Sequence, residues 1–175
     1  MSGRLWRRPL LPSPTGTTRR CDLRGRRVSV VTTSFRRVRH NPWRTLRELH
    51  PEWHVHFAAA LPGGALGITR WSDRTIWLTP NLTQVQRRCV LEHERQHILR
   101  GPAGQGDDEE RAVEISTARE LITLEDLVDA ARWSTDLREI ADHCWVTSDV
   151  LSCRVRYMHP AERAALREAV AHHPR

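Results

Sequence analysis

Residues 93–97 read His93-Glu94-Arg95-Gln96-His97. Two histidines at i and i+4 of a helix stand one turn apart on the same face, so their imidazoles can converge on one Zn2+ ion. Glu94 directly follows the first of them and can reach a metal-bound water from the side. Zinc lowers the pKa of such a water towards about 7, and the carboxylate takes its proton as it attacks a carbonyl. The same carboxylate then carries the proton to the leaving amine. Types and spacing together suggest zinc-dependent hydrolysis of a peptide bond, with His93 and His97 as ligands and Glu94 as general base.

A peptidase zinc needs a third protein ligand. The metzincin continuation calls for glycine and histidine at positions that here hold Arg100 and Ala103, which excludes that class. The run Asp107-Asp108-Glu109-Glu110-Arg111-Ala112-Val113-Glu114 supplies carboxylates instead. Glu110 stands 13 positions after His97, enough for one helical turn, a glycine-containing loop and one turn back. Glu109 and Glu114 compete with it for the role. Acidic residues are in any case favoured at a helix N-terminus by the helix dipole, which accounts for the others.

The elements that must position these groups can be read from periodicity and punctuation. Pro42 to Leu49 reads as a short helix, with Trp43, Leu46 and Leu49 at helical spacing. Trp53, Val55 and Phe57 alternate with His54 and His56 as in a strand. After the turn Pro62-Gly63-Gly64, a second strand at 65–69 and a third at 75–78 form a hairpin. The expectation is a small antiparallel sheet. Thr79-Pro80 resembles a helix start, and the helix it opens runs to about Arg100, where Gly101-Pro102 stops it. Asp107 or Asp108 then caps a helix reaching about Ile122. Further helical segments are expected at 124–133, 136–143, 147–157 and 160–172.

Four features of the stretch from Trp53 to Ile122 resemble the ImmA/IrrE family of metallopeptidases. They are Leu61-Pro-Gly-Gly-Ala-Leu-Gly67 leading to Ile76-Trp-Leu78, the pair Arg87-Arg88 before the His93–His97 motif, Arg100-Gly101-Pro102 after it, and Glu110-Arg-Ala-Val-Glu114 leading to Ala118-Arg-Glu-Leu-Ile122. The chain differs from the family's usual residues at Arg95, Gln96 and Glu114. The resemblance implies a zincin-like, gluzincin-type fold and a cytoplasmic zinc endopeptidase, several of whose relatives cleave helix-turn-helix repressors of phages or mobile elements. For the third ligand it points to Glu110, followed by Val113 and Glu114, with Glu109 followed by Ala112 as the alternative register.

Composition sets the limits. The 175 residues carry a net charge of +7, and every one of the 28 basic residues is arginine. Residues 1–40 hold eleven of them against Asp22 alone, so the remainder of the chain is slightly acidic. The arm can touch phosphates weakly and without sequence preference, and the arginine-only usage suggests a GC-rich bacterial or phage genome. No apolar run approaches the roughly 18 residues of a membrane span. Cys21, Cys89, Cys144 and Cys153 are scattered, and the chain opens without a signal-peptide core, as expected in a reducing cytoplasm.

Several smaller readings complete the picture. The stretch 137–157 resembles a helix-turn-helix, but with few basic residues on its second helix. His143, Cys144 and Cys153 are spaced too irregularly for a second metal site, and buried thiols are expected. Tyr157 or His159 is a candidate oxyanion donor, and Trp53, Trp71, Trp77, Trp133 and Trp145 are candidate core residues. The expectation is an α+β protein with a basic flexible arm (1–40), a zincin-like domain (41–122) and a helical C-terminal segment (123–175). Its activity would be zinc-dependent cleavage of a protein, such as a transcriptional repressor. The alternative is a non-catalytic regulator that binds DNA or a partner, its zinc site structural or degenerate.

Overall fold

A computed structural model describes residues 19–21, 27–29, 39–102 and 106–171. The chain divides into two units, Met1–Val38 and Arg39–Arg175. In the first, β1 (Arg19–Cys21) and β2 (Arg27–Ser29) pair antiparallel, with Arg19 opposite Ser29. Apart from Arg39 and His40, which belong to the second unit, the remainder of the arm expected at 1–40 lies outside the described residues.

The second unit opens with α1 (Pro42–Leu49). The Asn41 side chain accepts the Arg44 amide, and Pro42 fills a first-turn position where an N–H would go unpaired. Strands β3 (His54–Phe57), β4 (Gly67–Arg70) and β5 (Thr75–Leu78) follow, with a 3-10 turn at Pro62–Gly64 in which Gly63 takes φ +64°.

The sheet order is β3-β5-β4. The β4–β5 hairpin is antiparallel, as expected, but β3 pairs with β5 in parallel, His54 opposite Thr75 and Phe57 opposite Leu78. The sheet is therefore mixed rather than antiparallel. The chain leaves β3, crosses through the Pro62–Gly64 turn and lays β4 on the far side, so that β5 returns into the middle. Side chains alternate with the same period in either pairing, so the pattern that located the strands carries no direction. The middle strand is the buried one: Ile76 and Leu78 are wholly inaccessible, whereas His54, His56 and Phe57 on β3 are exposed.

Helix α2 (Gln84–Arg100) begins four residues later than Thr79-Pro80 suggests. The Thr79 amide is spent on the Leu66 carbonyl, prolonging the hairpin. The true cap is Thr83, whose side chain accepts the Gln86 amide while the Gln86 side chain accepts the Thr83 amide. Helix α3 (Asp107–Leu121) is capped by Gly106, and Asp107 and Asp108 stand in its first turn rather than at the cap. Then come α4 (Leu124–Trp133), α5 (Leu137–Cys144), α6 (Ser148–Arg156) and α7 (Pro160–Ala171), close to their expected places.

Two apolar clusters flank α2. Leu46, Trp53, Ile76 and Leu78 pack with Leu91 and Ile98 on one side of it. On the other, Cys89 joins Leu121, Ile122, Leu127, Ile140, Val146 and Leu151. The second cluster draws on residues either side of position 122, so α4–α7 share a core with α2 and α3. Of the tryptophans expected inside, Trp53 is buried and Trp71 and Trp77 are half-buried. Trp133 and Trp145 are exposed, at 66% and 41%. They sit at or just beyond helix ends, where periodicity no longer dictates a buried face. Among the described residues no helix is long and apolar enough to cross a membrane.

The buried Arg154 ties three helices together. Its Nε donates to the Ile122 carbonyl at 3.0 Å, and its two terminal nitrogens lie 3.1 and 2.6 Å from the Glu162 carboxylate. That pairing holds the Glu162 carboxyl below its ordinary value of 4.5. A depressed carboxylate pKa contributes stability above the ordinary value and loses it as pH falls through the folded-state value. Replacing Glu162 with Gln is expected to cost about 1–3 kcal/mol at neutral pH. In urea unfolding from neutral pH down to about 3, the gap from wild type should close in acid. A gap independent of pH would exclude the carboxylate as its source.

Candidate metal centre and its cleft

His93 and His97 lie one turn apart on α2, and α3 returns alongside to bring Glu110 against both. The Nε2 atoms of the two histidines are 3.2 Å apart. Glu110 Oε1 lies 2.8 Å from His93 Nε2, and Glu110 Oε2 lies 3.5 Å from His97 Nε2. The three side chains offer ligand atoms within 4.8 Å of one another, a group that could hold a metal ion, and among the described residues no other His, Cys, Asp or Glu group does so. Burial pushes the His93 imidazole pKa down, with the Glu110 charge opposing. The neutral form thus favoured is the one with a lone pair to give.

Of the competing carboxylates, Glu109 lies 3.8 Å from Arg100 Nε, and Glu114 is exposed one turn further along α3. Glu110 is the one that meets both histidines.

Glu94 is buried beside them. Thr69 Oγ1 on β4 lies 2.8 Å from its Oε2 and 3.1 Å from its backbone carbonyl. Burial raises the Glu94 carboxyl to about 7; the charge of Glu110 adds to this and the Thr69 hydrogen bond opposes it. Histidines, carboxylates, β4 and the Gly101–Pro102 corner enclose a cleft of about 380 Å³, with Ile68 and Trp71 on the strand side and Glu109 on the helix side.

The other two residues of the motif point away from the cleft. Arg95 and Gln96 are buried and serve Glu92, which is wholly inaccessible. Arg95 donates to both Glu92 oxygens at 2.9 and 2.7 Å, Gln96 donates to Oε1 at 2.7 Å, and His40 Nε2 lies 2.8 Å from Oε2. These contacts hold the Glu92 carboxyl below its ordinary range despite its burial. Arg95 and Gln96 thus fulfil a structural demand on the reverse face of α2.

The remaining sequence candidates stand elsewhere. Neither Tyr157 nor His159 lines the cleft: Arg156 stacks on the Tyr157 ring, and His159 Nδ1 accepts the Ala161 amide. Each lies near the end of α6 or start of α7, which pack away from the motif, so the oxyanion role expected of one of them is not supported. His54 and His56 are exposed on β3, His56 stacked on Trp77 at 4.9 Å. Cys144 is buried, Cys153 half-buried, and both are free thiols. Helices α5 and α6 are consecutive, joined by the turn 145–147, but Arg154 is consumed inside, leaving Arg156 as the basic side chain α6 exposes.

Sequence reasoning assigned no role to Gly67 or Thr69, because both act through a close approach of β4 to α2 that no local pattern reports. A Cβ built on Gly67 would stand 2.5 Å from Val90 Cγ1 and 2.7 Å from Glu94 Oε1. Only the absence of a side chain lets the strand lie that close.

No known protein family, characterised protein or solved structure matches the chain.

Gly67→Ala forces either the β4 backbone or both the Val90 and Glu94 side chains to shift. The expected cost is about 1–3 kcal/mol of stability, read by urea unfolding. Wild-type stability in that variant would show that the strand has room to spare.

Proposed function

We propose that the protein is a zinc-dependent endopeptidase that hydrolyses a peptide bond of a protein substrate. His93, His97 and Glu110 would be the zinc ligands and Glu94 the general base. The observation that carries this reading is the convergence of two imidazoles and one carboxylate from two helices, with a buried carboxylate beside them in a cleft. A tetrahedral ion with ligands at about 2.0–2.2 Å needs ligand atoms about 3.3 Å apart. The histidine Nε2 atoms, 3.2 Å apart, are close to that separation, and Glu110 reaches them with different oxygens, Oε1 at 2.8 Å from His93 and Oε2 at 3.5 Å from His97. The donor set also suits zinc chemically: borderline nitrogen ligands, one carboxylate, and a fourth position left for water or substrate.

Zinc bound there would polarise the scissile carbonyl and acidify a water. The protein's own residues do the rest. Glu94 takes the proton from the attacking water and gives it to the departing amine, and Thr69 fixes the carboxylate's orientation by holding Oε2. Strand β4 offers the substrate a backbone edge. The Thr79 amide bonds the Leu66 carbonyl, so alternation turns the backbone groups of Ile68 and Arg70 towards β5. Those of Gly67 and Thr69 are left on the free edge, where an extended peptide can pair with them beside Glu94. The resemblance to ImmA/IrrE peptidases adds that the substrate is a cytoplasmic helix-turn-helix repressor of a phage or mobile element.

Elemental mass spectrometry of tag-free protein should find one zinc per wild-type chain and almost none in His97→Ala. Glu94→Gln should keep the metal while cleavage of a proteome-derived peptide library falls about 10²- to 10⁴-fold. Cleavage by Glu94→Gln at the wild-type rate, or a folded wild-type protein that takes up no zinc, would overturn the assignment.

A further inference from the structure

We propose that Arg100 is a positioning residue that selects Glu110, rather than its neighbour Glu109, as the third metal ligand. This rests on the reading of His93, His97 and Glu110 as a zinc site.

The need for such a residue follows from the connection between α2 and α3. Its described ends are glycines in conformations that L side chains rarely adopt, Gly101 at φ +88° and Gly106 at φ +150°. Gly106 also gives α3 no side-chain cap. The buried face of α3, Val113, Thr117, Ala118 and Leu121, sets the rotation of the helix as a whole. Glu109 and Glu110 stand side by side in its uncapped first turn, about 100° apart, and both line the cleft, so what has to be decided is which carboxylate is free to turn to the histidines.

Arg100, the last residue of α2, meets that first turn and the turn after it. Its Nη2 donates to the Ala112 carbonyl at 3.2 Å and to Ser116 Oγ at 3.0 Å, and its Nε lies 3.8 Å from Glu109 Oε1. Ser116 Oγ in turn donates to the Ala112 carbonyl at 2.9 Å. Residues 109, 112 and 116 lie along one stripe of a helix. The guanidinium therefore holds that stripe against the end of α2, and the position about 100° further round, Glu110, faces His93 and His97. The same contact keeps Glu109 occupied, although that residue is half-buried and lines the cleft. Released, Glu109 would be free to turn within the cleft towards the histidines.

Zinc affinity distinguishes this from a general structural role. The measurement is competition of the full-length chain against a chromophoric chelator, for wild type, Arg100→Ala, Glu110→Gln and the double variant, with thermal unfolding as a folding control. Arg100 touches none of the three ligands, so Arg100→Ala should weaken zinc binding by less than the roughly 10- to 100-fold loss that follows removal of a ligand's own hydrogen-bond partner. Glu110→Gln should weaken it further. The double variant should bind zinc about tenfold more tightly than Glu110→Gln, a sign-reversed coupling, because Glu109 is freed to serve. Adding Glu109→Gln should abolish that gain.

A double variant no tighter than Glu110→Gln overturns the selection while leaving the zinc site intact. Unchanged affinity in Glu110→Gln overturns both. If Arg100→Ala fails to fold, Arg100→Lys repeats the test, since lysine keeps the charge but lacks the fork that grips two acceptors at once.

Discussion

Helix α2 is buried along most of its length and yet carries Arg88, Glu92, Glu94, Arg95 and Gln96 as buried groups. A polar or charged group removed from water costs more than a fold can spare unless it is hydrogen-bonded where it sits. Each of these side chains therefore dictates the position of something else. Arg88 donates to the carbonyls of Trp145, His40 and Leu121, fixing the end of α5, the entry to α1 and the end of α3 around one guanidinium. Glu92 draws in His40, and His40 in turn reaches Glu120 on α3 at 3.3 Å. Glu94 demands Thr69 and so fixes β4. The satisfaction of one helix's polar groups thus organises the sheet and the helical layer around it.

This arrangement divides α2 into two faces with different duties. Glu92, Arg95 and Gln96 neutralise and saturate one another within the helix on the inner side. His93, Glu94 and His97 are turned to the cleft, where Glu110 comes from outside the helix. A motif of five residues is thereby used in full, three positions for the site and two for holding the helix that presents it. Replacing Arg95 would remove the guanidinium from the buried Glu92 charge and leave it to Gln96 and His40, one residue from a candidate ligand, which is costly by several kcal/mol, up to about 3–5 for broken buried pairs.

Much of this was legible in the sequence because it is local. The i, i+4 histidine spacing, the loop-and-return distance to Glu110 and the helix stop at Gly101-Pro102 all depend on a few neighbouring residues. The start of α2 was legible too, but in Thr83-x-x-Gln86 rather than in Thr79-Pro80, since only the former supplies two reciprocal bonds. What was hidden depends on contacts distant in the chain. Thr69 and Glu94 are 25 positions apart and His40 and Glu92 are 52 apart, and no periodicity links them. Gly67 was visible as part of a motif but not as the point of closest approach between strand and helix.

The one topological departure from expectation matters most for the chemistry. In a simple antiparallel meander β4 would be the middle strand, both of its edges would be paired, and Gly67 and Thr69 would have no backbone groups to offer. Because β5 instead takes the middle position between β3 and β4, the buried strand is the one that needs burial: Ile76 and Leu78 form its inner face. The edge strand is left beside the histidines. Its small residue permits contact with α2, and its threonine fixes Glu94. A bulkier or more apolar β4 would suit a sheet centre better, but it could neither approach the helix nor hold a carboxylate in place. The composition of this short strand fits a position at an edge facing the cleft, and the parallel β3–β5 pairing is what puts it there.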